Sequence, residues 1–162
     1  MKKLFLSAVA VFAFGITNAQ EGGLKAGVNV GFPMAGDAKD FYSLAIGVDA
    51  AYMWPVADQF QAGASIGYLT ISPKEVNGVK GDAAGFLPIA ATGQYSFSDT
   101  MFVGLDLGYA VAMAPSGADS GMIYQPKVGY QTEKYEIYAG FKTIAVSGAS
   151  LSTLGLGFNY KF

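Results

Sequence analysis

The sequence predicts an all-β fold: a closed, eight-stranded, antiparallel up-and-down β-barrel that crosses a lipid bilayer. Three observations carry that prediction. From Gly22 onward apolar residues fall on every second position, the period of a strand with two unlike faces. Hydrophobic residues make up 52% of the chain and charged ones only 14%, yet no stretch beyond the N-terminus runs 18 apolar residues, so alternation disperses the apolarity. The connections between alternating segments are long and short in turn, as in an even-stranded barrel with both termini on one side.

The N-terminal residues stand apart from this pattern. Lys2 and Lys3 precede an apolar run from Leu4 to Ile16, followed by Thr17, Asn18, Ala19 and Gln20. A short positive stretch, an apolar core too short to span a membrane comfortably and small residues at its end make residues 1–19 an expected signal peptide. Residues 20–162 are the expected barrel domain.

Eight segments follow. The apolar face carries Leu24 to Phe32 in the first, Tyr42 to Trp54 in the second, and Phe60 to Tyr68 in the third. The fourth sets Leu87, Ile89, Ala91, Tyr95 and Phe97 against Thr92, Gln94 and Ser96, and the fifth sets Met101 to Met113 against Gly104, Asp106, Gly108 and Ala110. The sixth carries Met122, Tyr124, Val128 and Tyr130; the seventh Tyr135, Ile137, Ala139 and Phe141; the eighth Leu154 to Phe162. None of these apolar faces contains a charge. At about 3.3 Å per residue and about 40° of tilt, eleven residues rise roughly 28 Å, the thickness of a bilayer core.

The expected connections are 33–40, 55–59, 72–85, 98–100, 114–121, 132–134 and 146–150. The first, third and fifth are the longer, outer ones; the seventh, with Ser147-Gly148, is short for its place. Asn77-Gly78 between Val76 and Val79 predicts a type I′ hairpin turn that brings Glu75 near Lys80. Pro126 breaks the rule that a strand with two neighbours donates every N–H, which calls for a bulge or for pairing that starts only after it.

A soluble barrel, as in lipocalins, would turn the apolar face inward and bind a ligand there. Size decides against it: that face carries Trp54 and many Tyr, Phe, Leu and Met residues, whereas an eight-stranded interior admits only modest side chains. Turned outward, the aromatics form two belts. Tyr52, Trp54, Phe60, Tyr95, Phe97, Tyr130, Tyr135, Tyr160 and Phe162 make the inner one; Phe32, Tyr42, Tyr68, Tyr109 and Tyr124 make the outer one.

The alternation, the export signal and the closing Phe158-Asn-Tyr160-Lys-Phe162 resemble the small outer-membrane barrels of the OmpA transmembrane-domain and OmpX type. The resemblance covers residues 22–162 and implies an outer-membrane location, with the terminal aromatic as the signal read by the barrel-assembly machinery. That family is functionally diverse, so the resemblance implies fold and place more than role.

Composition excludes several functions. Cysteine and histidine are absent, so disulfides, thiolate metal sites and the usual general base near neutral pH are excluded. All ten basic residues are Lys, and a net charge of −2 without a basic run argues against nucleic acid as a partner. No catalytic, cofactor-binding or metal residues are assigned. Barrel enzymes of the outer membrane rely on an active-site His that this chain lacks, and the outer-loop charges Asp37, Lys39, Asp40, Lys74, Glu75, Lys80, Asp82 and Asp119 have no calcium-loop spacing.

The inward charges are Lys25, Asp49, Asp106, Lys127, Glu136, Lys142 and Lys161. Asp49, Asp106, Lys127 and Lys142 belong at mid-height, with Lys25, Glu136 and Lys161 together below them. Their expected role is a polar plug, helped by the bulky inward Met53, Leu69, Phe102 and Tyr138. The expected function is structural or surface-binding, with outer-membrane lipid around the barrel and any extracellular ligand at the outer loops. A narrow channel for small solutes or ions is the alternative.

Overall fold

The computed structural model describes residues 22–35, 38–76 and 79–162. The expected signal peptide and the Asn77-Gly78 turn lie outside the described residues. The elements are β1 (Gly23–Ala35), α1 (Ala38–Phe41), β2 (Tyr42–Ala57), β3 (Phe60–Pro73), β4 (Glu75–Val76), β5 (Val79–Lys80), β6 (Ala84–Ser96), β7 (Met101–Ala114), β8 (Gly121–Gln131), β9 (Tyr135–Val146) and β10 (Ala149–Lys161).

Eight of the strands close into one antiparallel barrel in the order β1-β10-β9-β8-β7-β6-β3-β2, with β1 paired to β10 from Lys25↔Lys161 to Ala35↔Ser152. Closure leaves the barrel without a free edge, so nearly all of the backbone pairing is made within the wall, which hydrocarbon demands. The eight predicted segments are the eight barrel strands. The extra pair, β4 and β5, is a small separate hairpin in the third connection that pairs Glu75 with Lys80.

The connections at the end holding both termini (the inner end) are short: 58–59, 97–100 and 132–134. At the outer end they are 36–41, 74–83, 115–120 and 147–148. The seventh connection is as tight as expected, with Gly148 at φ 78°, a left-handed conformation that costs glycine little.

The two faces are as unlike as the alternation predicts. Val28, Val48, Ile66, Ile89, Leu107, Tyr124, Ile137 and Leu156 are exposed on the outside, whereas their neighbours in sequence turn inward. Met53, Leu69, Phe102 and Tyr138 are all buried inside. A chain folding in water would not leave this many large apolar groups uncovered on every strand; a chain folding in lipid loses nothing by it.

Two expectations need correction. Tyr42 is not in the outer belt. The β2–β3 register shifts by one between Tyr42↔Pro73 and Leu44↔Ser72, and such a bulge reverses the alternation beyond it. Tyr42 therefore packs inward against the buried cluster at the top of the lumen, while Phe41, the last residue of α1, stands exposed.

Pro126 is absorbed by neither a bulge nor a late start. Its ladder to β7 is continuous through Leu105↔Pro126, and its ladder to β9 passes from Tyr124↔Thr143 to Lys127↔Gly140 with two pairs missing and no slip. Pro88 does the same between β3 and β6, where Ile66↔Ile89 is followed by Leu69↔Phe86. Each proline faces its missing N–H to one neighbour only, and the register survives because the ladder resumes on both sides of the gap.

Several inward side chains fit only because glycine stands opposite. The Tyr138 ring lies across Gly157, where an added Cβ would run into the phenol carbons. Gly157→Ala should therefore lower stability by about 1–3 kcal/mol, since an overpacked interior must move the ring or the wall. A shift of the urea midpoint in detergent checks this.

Candidate functional site: the lumen and its outer rim

The lumen is built in three layers. At the inner end Glu136 is a hub, 1% exposed. Its Oε1 accepts from Lys25 Nζ at 2.6 Å and from Gln94 Nε2 at 3.1 Å, and lies 3.5 Å from Lys161 Nζ. Its Oε2 accepts from Asn159 Nδ2 at 3.2 Å. Lys25 Nζ also donates to Gln94 Oε1 at 3.0 Å, Gln94 Nε2 to Gln131 Oε1 at 3.0 Å, and Gln131 Nε2 to Ser96 Oγ at 2.9 Å. This mesh draws on β1, β6, β8, β9 and β10, so it ties five of the eight staves together, four of them directly through one carboxylate.

At mid-height Lys127 Nζ donates to both Asp106 oxygens, at 2.8 and 3.0 Å, and Thr92 Oγ1 donates to Asp106 Oδ1. The same ammonium stands 5.5 Å from the centre of the Tyr138 ring. Asp49 and Lys142, also expected at mid-height, are joined only indirectly. Asn29 stands between them: its Nδ2 donates to Asp49 Oδ2 at 2.7 Å, and its Oδ1 accepts from Lys142 Nζ at 3.2 Å. Buried charges are tolerated when hydrogen bonds or ion pairs replace water, and this arrangement supplies both.

Above the charges comes an apolar layer. Ala45, Leu69, Ile71, Ala84, Phe86, Ala110, Ile123 and Ile144 form one buried cluster, with Tyr42, Ala112, Val146 and Leu151 packed against it. Sequence reasoning picked out Leu69 but missed the cluster as a unit. Its members are inward residues toward the outer strand ends, read one by one from six strands, and only the ladder registers bring them to one height.

Hydrogen bonds tie down parts of the outer rim. Lys74 N donates to Phe41 O at 2.7 Å and Lys74 Nζ donates to Lys39 O at 2.6 Å, fastening α1 to the end of β3. Among the described residues no group of three or more metal-ligating acids is found at the rim or elsewhere.

Compared by sequence, the chain matches no protein-family model and no curated protein. Compared by structure, it is similar to Ail, the attachment invasion locus protein of Yersinia pestis. The crystal structure of Ail aligns at 12% identity over 87% of this chain and 97% of that one, with a TM-score of 0.57. Ail in a phospholipid bilayer nanodisc aligns at 14% identity over 88% and 100%, with a TM-score of 0.62. The outer-membrane protein OprG of Pseudomonas aeruginosa aligns at 12% identity over 87% and 95%, with a TM-score of 0.54. Most of this chain and nearly all of each of the others is matched, while the sequences have little in common. From the closed ladder, the apolar outer face and these likenesses together, the chain has the fold of the small eight-stranded outer-membrane β-barrels.

Proposed function

We propose that this chain is an integral outer-membrane protein, exported by residues 1–19 and inserted by the barrel-assembly machinery, with a structural or surface-binding role. Its outer connections make whatever contact it has, and its lumen is closed. The observation that carries this reading is the lumen's apolar outer layer above a paired polar interior. A conducting path needs a continuous wet lining, and Leu69, Ile71, Phe86 and Ile144 interrupt it.

The outer connections also bear on the class of partner. They hold five carboxylates (Asp37, Asp40, Glu75, Asp82, Asp119) against three lysines (Lys39, Lys74, Lys80). Ail has been crystallised with the heparin analogue sucrose octasulfate. The acidic balance of these connections favours a neutral or cationic partner, and retention on a heparin column at low salt is not expected.

The test has two parts. The detergent-extracted outer-membrane fraction should contain the protein, and unboiled and boiled samples should migrate differently on a denaturing gel. In planar bilayers the purified barrel should be silent. Steady conductance that changes in Lys127→Ala would replace this reading with a narrow channel, and recovery in the soluble fraction without a heat shift would replace it with a soluble ligand-binding barrel.

A further inference from the structure

We propose that the chamber at the middle of the lumen is a water site, and that a trapped water cluster there is a structural part of the barrel. The chamber has a volume of about 50 Å3 and is bounded by Asp49, Gly67, Pro88, Gln125, Lys142 and Asn159, among others. A cavity needs roughly 10–15 Å3 on this measure to hold a water, so there is room for about three to five.

Two independent observations call for that water. The first is Asn159, 7% exposed, whose side-chain nitrogen donates to Glu136 while its Oδ1 has no hydrogen-bond partner. A buried amide oxygen left unpaired is costly, and this one borders the chamber, where a water can donate to it. The second is the pair of ladder gaps. Gly67 and Pro88 face each other at the β3–β6 gap, and Gln125 and Lys142 flank the β8–β9 gap. All four border the chamber. Backbone groups released from a ladder cannot be satisfied from the hydrocarbon side, so they must be satisfied from within. Pro88 itself lines the chamber, and Gln125 and Lys127 on either side of Pro126 line it too, which brings water within reach of both gaps.

The chemistry of the lining selects water over an ion. The lumen holds four lysines (Lys25, Lys127, Lys142, Lys161) and three carboxylates (Asp49, Asp106, Glu136), so an added cation would raise an existing positive excess. An anion would face Asp49 and Asp106. Water both donates and accepts. Placed between Asn159 and Asp49, it would join the inner mesh to the Asn29–Asp49–Lys142 chain, making one network from the inner end to the apolar layer.

The argument from the gaps rests on the membrane reading, whereas the argument from Asn159 does not. The test is water–protein cross-relaxation by NMR on the barrel in nanodiscs. Long-lived water should appear at the Asn159 side-chain amide and at the Gly67 backbone amide. A heat-modifiable, membrane-inserted barrel with no such signal would overturn the water site and leave the membrane reading standing. Ala90→Leu, which fills the chamber, should erase the signals and lower the unfolding midpoint; a raised midpoint would show the water to be dispensable. Anomalous density in the chamber after a rubidium or bromide soak would assign it to an ion instead.

Discussion

Replacing Glu136 with leucine is expected to destabilise the barrel by about 3–5 kcal/mol, enough to abolish the folded band on an unboiled gel at moderate urea. Removing one partner of a buried ion pair leaves the other charged and without compensation. Here the loss is compounded, because Lys25 and Lys161 both converge on the same carboxylate, and Gln94 and Asn159 donate to it as well. Lys161 lies at the inner mouth and is a quarter exposed, so it can turn to water; Lys25 cannot. The double variant Glu136→Leu with Lys25→Met should therefore regain much of the lost stability. A coupling energy near zero between the two changes, read from urea titrations of the four proteins, would show that the hub does not hold the staves together.

The second large effect concerns the outer face. Leu107→Arg on β7 places a cation between the two aromatic belts, on a side chain 51% exposed and flanked by Ala91 and Tyr124. A barrel folded into lipid should lose about 2–4 kcal/mol, the cost of an Arg near the bilayer midplane. Met113→Arg, at the outer end of the same strand, should cost far less, because its head group reaches the interface. Folding titrations in vesicles measure both. Equal and small effects at the two positions would mean that the outer face meets water, which a soluble barrel requires.

Why the strands could be read from the chain and parts of the lumen could not has a physical cause. Alternation is a local property: Met101 to Met113 needs no knowledge of its neighbours to declare which side is apolar, and the same holds for Leu154 to Phe162. Pairing is not local. Lys25 and Glu136 are 111 residues apart, and their meeting at 2.6 Å depends on the β1–β10 and β10–β9 registers together. Grouping Lys25, Glu136 and Lys161 at one height was possible because counting from strand ends approximates register. Asn29's place between Asp49 and Lys142 was not readable, since it turns on a few ångströms. Tyr42 failed for a different reason. A single extra residue at a bulge inverts the face of everything beyond it, and Ser43 carries no signal that distinguishes it from an ordinary strand residue.

The two proline gaps also divide the wall. Between them lie β6, β7 and β8, joined to one another by ladders that run from Phe86↔Ala112 to Ser96↔Phe102 and from Met101↔Tyr130 to Ala110↔Gly121 without a missing pair. Their flanks, against β3 and β9, are where a ladder skips two pairs in mid-strand. The barrel is in this sense a three-strand panel set into a five-strand frame. Thermal opening should begin along its two seams, with amide exchange at Gly67 and Phe141 outrunning exchange at Tyr109 and Leu107 by orders of magnitude, and the panel should leave or enter the frame as a unit.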